Sequence, residues 1–313
     1  MGKTGKKIKR KIQKARRYIL YLLTLFGLKL CKLLPYNFSL KAGSFLGSIT
    51  FLIFRKLRKI TIDNLSIAFG DEMSDHEIKN LACEVFKEQG KNAFEIFKIL
   101  EISSEKLSKY VNVEGLENLD EALTFEKGVV FITAHMGNWE LLAMSFAQLG
   151  YPSNPFIRKI NNEYIDELLN NMRRKFGIKP INRDGIQAVK AGLKVLRRKE
   201  ILGILIDQDT TRVEGVFVDF FGRLAYTPSG AATLAIAAKC PVIFSFISRQ
   251  EDNKHLIKVS KVFHPIITGD KKKDILTNTQ YFTKQIEKVV RENPSQWVFM
   301  HRRWRHTPDN LDL

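Results

Sequence analysis

Short apolar runs alternate with amphipathic stretches from about Gly115 to the end of the chain. A short apolar run favours a buried strand, whereas apolar residues spaced three and four apart favour a helix. The pattern predicts strands at Gly128–Ala134, Pro155–Ile160, Ile178–Ile181, Ile201–Ile206, Val242–Ile247 and His255–Val262. It predicts helices at Asn138–Leu149, Asn162–Phe176, Asp184–Lys199, Ser229–Lys239 and Lys273–Glu292. This alternation indicates an α/β fold with a largely parallel sheet flanked by helices, with functional residues at the carboxyl ends of strands.

The N-terminal third has a different pattern. Residues 37–70 mix apolar and basic residues, and a basic cluster at residues 55–59 follows an apolar stretch, which is typical of an interfacial helix. Ser74 and Glu77 form a capping box that opens a helix running to about Leu100. We therefore divide the chain into a basic arm with an apolar segment (1–36), a helical, partly interfacial region (37–110) and an α/β domain (111–313).

The positive charge lies almost entirely at the N-terminus. The chain has 51 Lys and Arg against 33 Asp and Glu, a net charge of +18. Residues 1–60 hold 16 of the basic residues and no acidic residue, so the other 253 residues are nearly neutral with 35 basic and 33 acidic. That distribution argues against an extended nucleic-acid surface, and no zinc-finger, helix-turn-helix or RNP pattern occurs. A peripheral membrane protein without catalytic activity remains an alternative.

Nine basic residues between Lys3 and Arg17 precede the uncharged segment Tyr18–Leu28. A membrane span needs about 20 mostly apolar residues, and this segment reaches roughly half that length before Lys29. It could span only if Lys29 and Lys32 snorkel, and a cleaved signal peptide fits poorly, although Ala42–Ser44 resembles a cleavage site. We expect a monotopic or hairpin-like attachment to the cytoplasmic face, with the arm on anionic headgroups.

Cysteine and histidine spacing predicts neither a metal nor another cofactor. Cys31, Cys83 and Cys240 form an odd, widely separated set without metal-ligand spacing, which is consistent with a reducing compartment. The six histidines include no HExxH pair.

A histidine and a carboxylate follow the apolar run Gly128–Ala134, in the sequence His-Met-Gly-Asn-Trp-Glu. A spacing of five cannot place His135 and Glu140 on one helix face, so the pair requires a turn, which Gly137 and Asn138 supply. Asn138 is a good N-cap, and Glu140 would be ionised in the first helical turn. Glu140 could then orient the imidazole of His135, which would deprotonate a hydroxyl for attack on an acyl carbonyl. Alone, the HX4E pattern is weak, because both residues can also be structural.

Further blocks give this pattern a family context. They include Pro155–Arg158, the strand end Leu205–Asp209, the aromatic block Gly215–Gly222 with Thr227–Gly230, and the C-terminal block Trp297–Trp304. In this order, with HMGNWE and the basic N-terminus, the chain resembles the lysophospholipid-type acyltransferase superfamily, and within it the lipid A biosynthesis (lauroyl/myristoyl) acyltransferases of Gram-negative bacteria. The sequence departs from the family pattern at Lys159–Asn162 and at Ser229, which leaves the exact acceptor open.

The resemblance implies a glycerol-phosphate-acyltransferase-like fold at the inner membrane, with the catalytic domain on the cytoplasmic face. It implies acyl carrier protein as the donor and a glycolipid hydroxyl as the acceptor, with no acyl-enzyme intermediate. His135 would be the base, and Arg158 or backbone N–H groups around Gly137 and Asn138 would bind the oxyanion. Asp207 and Asp209 could hold Arg158 or orient substrate, or serve only as turn residues. The same reading admits an acceptor outside lipid A: glycerol phosphate, a lysophospholipid, an aminolipid or another glycolipid.

Other basic and aromatic residues have two interpretations each. Several arginines could bind acceptor phosphates or could be surface charges, namely Arg183, Arg212, Arg302 and Arg303, with Arg223 and Arg305 as further members. Basic surface near the site would also suit the acidic acyl carrier protein. The aromatic residues Trp297, Phe299 and Trp304 are interpreted first as core or interfacial residues and second as acyl-chain contacts.

Overall fold

A computed structural model describes residues 3–99, 107–183 and 185–309. The N-terminal part is helical: α1 (Lys3–Leu33), α2 (Tyr36–Ile53), α3 (Arg55–Phe69) and α4 (Asp75–Ile99). The strands that follow are β1 (Val111–Glu114), β2 (Val129–Thr133), β3 (Ser153–Ile157), β4 (Ile181–Asn182), β5 (Ile201–Leu205), β6 (Gly215–Phe220), β7 (Arg223–Pro228), β8 (Val242–Arg249) and β9 (His255–Val259). The helices among them are α5 (Leu116–Thr124), α6 (Trp139–Gln148), α7 (Glu163–Lys175), α8 (Ile186–Arg197), α9 (Gly230–Ala238) and α10 (Lys271–Glu292), and a 3₁₀ helix (Pro294–Gln296) follows.

Seven strands form one sheet in the order β1-β9-β8-β2-β5-β3-β4, in which only β8 and β9 pair antiparallel. Strand β2 is buried along its whole length. Because side chains alternate along a strand, Val130 and Ile132 join one apolar cluster and Val129 and Phe131 join the other. The predicted α/β architecture with a largely parallel sheet is therefore confirmed, with apolar cores on both faces of the sheet.

Two predicted helix starts rest on capping residues, and both are confirmed. The backbone N–H of Ser74 donates to Glu77 Oε2 at 2.8 Å, and the N–H of Glu77 donates to Ser74 Oγ at 3.4 Å. The side chain of Asn138 accepts from the N–H of Leu141 at the start of α6. Two predicted helix boundaries lie outside the described residues: the end of the helix at Leu100 and the start of another at Asp184.

The helices α2 and α4 pack closely through glycines. A Cβ atom at Gly43 would lie 2.5 Å from the carbonyl oxygen of Gly90, so neither position has room for a larger residue. The outer surface of α1 and α2 exposes large apolar side chains, among them Leu23, Phe26, Phe38, Phe45 and Leu52. Among the described residues, no single helix is both long and apolar enough to cross a membrane, whereas the pair α2 and α3, bent by 95°, satisfies that test together.

Candidate active site

His135 and Asp207 lie side by side at the carboxyl ends of adjacent parallel strands. Thr133 of β2 is paired with Leu205 of β5, and His135 and Asp207 each follow two positions later. The backbone N–H of His135 donates to Asp207 Oδ2 at 2.8 Å, and His135 Nδ1 lies 2.8 Å from Asp207 Oδ1. Because a carboxylate only accepts hydrogen bonds, the proton sits on Nδ1 and Nε2 is left as the basic nitrogen.

The carboxylate of Asp207 is buried and held from a third direction. Trp297 Nε1 donates to Asp207 Oδ2 at 2.8 Å. Burial opposes ionisation of this carboxyl, but the charge of His135 and the hydrogen bonds from His135 and Trp297 outweigh it and lower the pKa of Asp207 to about 2. At neutral pH, Asp207 is therefore an anion that fixes the tautomer and the orientation of His135.

Glu140 does not orient His135, contrary to the prediction. Its carboxylate pairs with the guanidinium of Arg173 on α7, in two hydrogen bonds from Nε, at 2.9 Å, and from Nη2. The first turn of α6 directs Glu140 towards α7, so the carboxylate on the next strand takes the place at His135 Nδ1. Arg173 is buried and also donates to Asn170.

The turn Met136–Asn138 is fixed by its neighbours. Gly137 has φ 52°, and a Cβ atom there would lie 2.3 Å from the carbonyl oxygen of Ile247, so only glycine fits. Its N–H donates to Gln296 O at 3.0 Å. The predicted use of the Gly137 N–H in an oxyanion site is therefore wrong, because the protein already occupies that donor. The side chain of Asn138 is also occupied, by Leu141 N–H and by Glu95.

A cavity of about 580 Å³ opens beside His135. Its wall is mostly apolar, with Phe131, Leu142, Phe146, Ile201 and Leu234 among its residues. The side chain of His135 is 19% exposed, which makes it accessible from this cavity. Polar and charged residues interrupt this wall, and a mostly apolar wall with some polar groups is the usual composition of a site for a largely apolar ligand.

Some of the predicted site residues line the cavity, and others do not. Its lining includes His135, Glu140, Arg158, Arg183 and Arg212, together with Arg173. Asp207, Asp209, Gly137, Asn138, Arg302 and Arg303 are not part of the lining. Arg158 and Arg212 are exposed, and Arg183 is partly buried. Four guanidinium groups therefore border one apolar cavity.

Asp209 and Arg303 have structural partners instead of the predicted substrate contacts. Asp209 accepts from the backbone N–H of His306 at 2.9 Å and lies 2.5 Å from His306 Nδ1. Its carboxylate therefore contacts His306 instead of Arg158 or a substrate. Arg303 is buried and donates to Tyr226 O and Thr227 Oγ1. Burial lowers the pKa of Arg303 to about 10, against the attraction of Asp207 and Asp209. Its side chain is therefore not available for acceptor phosphates.

The aromatic residues of the C-terminal block belong to the core, as first interpreted. Trp297 and Phe299 are buried, and Trp304 packs against the same cluster. Three site features did not follow from the sequence: Asp207 as the partner of His135, Arg173 as the partner of Glu140, and Trp297 as a donor to Asp207. A signal for Asp207 was available, since it and His135 are the first ionisable residues after two apolar strands.

Within the described residues, no group of three or more His, Cys, Asp and Glu side chains could hold a metal ion. Chemically, the site offers an oriented base, a buried carboxylate behind it, guanidinium groups and an apolar cavity. That combination suits proton abstraction from a hydroxyl next to a bound acyl chain.

Comparisons with known proteins agree with this chemistry. The family model described as "Bacterial lipid A biosynthesis acyltransferase" matches residues 6–306. The chain is similar to the lipid A biosynthesis lauroyltransferase of Escherichia coli (strain K12), 25% identical over 299 residues that cover 94% of each chain. It is also similar to the lipid A biosynthesis palmitoleoyltransferase of the same organism, 23% identical over 295 residues and 92% of each chain. A phosphatidylinositol mannoside acyltransferase of Mycolicibacterium smegmatis is 24% identical over 217 residues, 67% of each chain.

Proposed function

The chain belongs to the bacterial lipid A biosynthesis acyltransferase family, and on that premise we propose that it transfers a fatty acyl chain from acyl carrier protein to a hydroxyl of a lipid A precursor. The observation that carries the proposal is the His135–Asp207 pair at an apolar cavity bordered by arginines. The cavity binds the acyl chain of the donor. The imidazole contacts the acceptor hydroxyl next to the thioester of that donor.

The transfer proceeds by direct attack. His135 Nε2 takes the hydroxyl proton while the hydroxyl oxygen bonds to the thioester carbonyl carbon. The tetrahedral intermediate then collapses: the carbon–sulfur bond breaks, the new ester remains on the acceptor, and the thiolate of the donor receives the proton from the imidazolium. Asp207 stays ionised throughout and stabilises the imidazolium, since it is a positioning residue rather than a proton acceptor.

The oxyanion of the tetrahedral intermediate needs donors on the cavity wall. Arg158 lines the cavity at the end of β3, and the N-terminus of α6 follows His135 closely, so its first backbone N–H groups and helix dipole favour negative charge there. A preorganised donor of this type contributes about 3 kcal/mol. Glu140 contributes to acceptor binding indirectly, because it holds Arg173 in place.

The arginines at the cavity give the acceptor a place for its phosphates. Arg158, Arg173, Arg183 and Arg212 all line it, and guanidinium groups match phosphate oxygens in paired hydrogen bonds. The exposed members also provide a positive surface for an acidic carrier protein. Of the phosphate-binding candidates from the sequence, Arg183 and Arg212 remain, whereas Arg302 is exposed but lies outside the lining.

The N-terminal helices attach the enzyme to the lipid surface that holds the acceptor. The proposal rests on the exposed apolar side chains of α1 and α2 and on the basic residues at the start of α1. An apolar face with adjacent positive charge binds anionic membranes at about 1 kcal/mol per charge.

Reversing two exposed charges in α1 should weaken this attachment. We expect the double variant Lys11→Glu/Lys14→Glu to bind anionic vesicles roughly 30-fold more weakly, because at least two favourable charge contacts are lost. The matched control, Lys258→Glu/Lys261→Glu, changes two exposed lysines on and after β9 and should bind as the wild type does. Vesicle sedimentation over a lipid titration measures both. Equal weakening by the two pairs would mean that attachment depends on net charge alone.

The depth of the cavity should set the preferred acyl-chain length. Gly203 lines the cavity and is paired with Phe131, four residues before His135, which is about 13 Å along the strand direction. We expect Gly203→Val to favour lauroyl over palmitoyl donors by about tenfold in kcat/KM, since each excluded methylene costs about 0.8 kcal/mol. Competition between acyl carrier proteins loaded with lauroyl, myristoyl and palmitoyl chains gives the ratio. The control Ser245→Val, buried outside the cavity, should leave it unchanged.

An acceptor panel tests the proposed function as a whole. The purified enzyme, supplied with lauroyl-loaded acyl carrier protein, is offered a lipid A precursor, glycerol phosphate, a lysophospholipid and a phosphatidylinositol mannoside, the last because of the mannoside-acylating relative. We expect a new ester on the lipid A precursor, detected by mass spectrometry. Transfer only to glycerol phosphate or to the lysophospholipid would contradict the proposal, and transfer only to the mannoside would replace the acceptor class.

A further inference from the structure

A buried carboxylate in the helical region is the centre of a large polar network. Glu95, on α4, is 1% exposed. It accepts from Arg249 Nη1 and Nη2 at 2.9 Å each and lies 2.9 Å from His255 Nε2, and the hydroxyl of Tyr36 also donates to it. Burial opposes its ionisation, but His255 and Arg249 outweigh the burial and hold the pKa of Glu95 below its ordinary value.

This network reaches the turn that follows His135. Asn138 Nδ2 donates to Glu95 Oε2 at 2.8 Å, and Asn92, one helical turn before Glu95, donates to the carbonyl oxygen of Gly137 at 2.8 Å. Arg249 Nη2 donates to Asn92 Oδ1 at 2.9 Å, which closes the network. Helix α4 therefore holds the backbone of one turn residue and the side chain of the next.

The turn is held from its other side by the segment that supports Asp207. Gln296 accepts from the N–H of Gly137 and exchanges two hydrogen bonds with the backbone of Arg249, at 2.7 and 2.9 Å. Its neighbour Trp297 donates to Asp207. The network and the His135–Asp207 pair thus share one framework of hydrogen bonds, although no network residue lines the cavity.

We propose that Glu95 is a positioning residue for acyl transfer: through Asn138 and Asn92 it fixes the turn Gly137–Asn138, and with it the direction of His135 and of the N-terminus of α6. The inference rests on the proposed function, because it assigns these residues to the geometry of that reaction. A buried ion pair adds little to folding stability on balance, whereas a fixed base and fixed N–H donors decide the rate, since a displacement of about 1 Å can cost a hundredfold.

The same network extends outward to the first residue of α2. Tyr36 donates to Glu95 and lies 3.3 Å, through its hydroxyl oxygen, from the carbonyl oxygen of Asn253. The rest of α2 carries part of the exposed apolar surface. The helices assigned to membrane attachment and the catalytic turn therefore meet at one carboxylate.

Two shape-conserving variants test this role. Glu95→Gln removes the charge that orders Arg249 and His255. Asn138→Asp keeps the oxygen that caps α6 but places an acceptor where Nδ2 donated to Glu95. The matched control is Asn278→Asp on α10, a fully buried asparagine whose amide bonds to the backbone of Ile266 and Asp274, far along the chain from the turn.

We measure kcat per folded enzyme, KM for lauroyl-loaded acyl carrier protein, the midpoint of thermal unfolding, and amide hydrogen exchange of the peptide that contains residues 134–142. We expect Glu95→Gln and Asn138→Asp to lower kcat by about ten- to a hundredfold with KM nearly unchanged, and to speed exchange in that peptide. Asn278→Asp should lower the unfolding midpoint comparably and change neither quantity.

The inference is overturned if both variants keep the wild-type kcat per folded enzyme, whether or not their exchange changes, or if the control lowers kcat as much as they do. Failure of the proposed function has a different signature, since the wild type would then not acylate the lipid A precursor. In that case, exchange in the turn decides: protection unchanged by both variants rejects the positioning role, and protection lost only in them supports it.

Discussion

Replacing His135 with glutamine should lower kcat for acyl transfer by about a hundred- to ten-thousand-fold, because the amide has no basic nitrogen to accept the hydroxyl proton. KM for the donor should change little, since in the proposed function the acyl chain contacts the apolar cavity wall rather than the imidazole. The protein should still fold and bind vesicles. Steady-state assays with lauroyl-loaded acyl carrier protein and a lipid A precursor, together with thermal unfolding, measure these quantities.

The chain offers a control of matched geometry. His306 contacts Asp209 as His135 contacts Asp207, with a backbone N–H on one carboxylate oxygen and Nδ1 near the other. His306 does not line the cavity. His306→Gln should therefore keep the wild-type kcat, even though it loses a comparable buried contact. Equal loss of activity in both variants would show that these histidines act through stability and not through proton transfer.

Replacing Asp207 with asparagine should have the second largest effect. The amide cannot accept from His135 Nδ1, His135 N–H and Trp297 Nε1 as the anion does, so the imidazole loses its fixed tautomer. In a comparable histidine–aspartate arrangement the same exchange costs about 10⁴-fold. We expect a loss of roughly 10² to 10⁴ in kcat per folded enzyme. Steady-state assays give the rate, which is divided by the concentration of folded enzyme from circular dichroism.

The variant Glu140→Gln tests whether Asp207 or Glu140 orients His135, since the HX4E spacing suggests Glu140 for that role. Because Glu140 binds Arg173 and not His135, this variant should raise KM for the acceptor while lowering kcat much less than Asp207→Asn does. The KM and kcat split distinguishes the two carboxylates, since a general loss of stability would change neither constant per folded enzyme. A kcat for Glu140→Gln as low as that for Asp207→Asn would return Glu140 to the role of orienter.

Asp207 also links stability to pH. Its pKa is lowered from an ordinary value near 4 to about 2 in the folded protein. A lowered carboxyl pKa stabilises the fold fully above the unfolded value, and this contribution is lost as the pH falls through the folded value. The wild type should therefore lose its stability advantage over Asp207→Asn on acidification from about pH 5 to about pH 2. A constant difference in free energy of unfolding over that range would contradict the assigned ionisation.

Local patterns in the sequence were sufficient to predict the strand and the helix starts around the site. The apolar run that forms β2, the histidine at its end and the N-cap at Asn138 are all short-range features, and each is found where the sequence predicts it. The serine–glutamate capping box at α4 is another case. These features could be predicted because the physical cause of each lies within a few residues of chain.

The partner of His135 could not be predicted in the same way. Asp207 reaches His135 only because β5 lies beside β2 with Thr133 opposite Leu205, and that register depends on the packing of the whole sheet. Glu140 was closer in sequence, but the direction of the first turn of α6 takes its carboxylate to Arg173. Spacing along the chain therefore placed the histidine correctly at a strand end and named the wrong carboxylate as its neighbour.

The antiparallel hairpin of β6 and β7 was not predicted from the sequence, because its turn has an unusual first residue. Phe220 is paired with Arg223, so the turn consists of Phe221 and Gly222, both with positive φ, 57° and 73°. Asn-Gly or Asp-Gly is the usual signal for such a turn. Phe221 takes this strained conformation because its N–H donates to Glu287 and its ring packs against Phe69, contacts that only the folded chain provides.

Arg303 shows how burial escapes a sequence pattern. In a run of basic residues it looks like surface charge or a phosphate ligand, yet its guanidinium lies inside and donates to Tyr226 and Thr227 of β7. The exposed Arg302 beside it indicates that neighbours in one basic run can have opposite environments.

One labelling measurement tests the central claim, direct attack by a hydroxyl that His135 deprotonates, most directly. The wild-type enzyme and His135→Gln are each mixed with acyl carrier protein that carries a radiolabelled lauroyl chain, first without acceptor and then with the lipid A precursor, and the label is followed on protein and lipid. We predict that no label stays on the wild-type enzyme before the acceptor is added, that it then moves to the lipid as an ester, and that His135→Gln transfers almost none. A covalently labelled enzyme, or undiminished transfer by His135→Gln, would contradict the account.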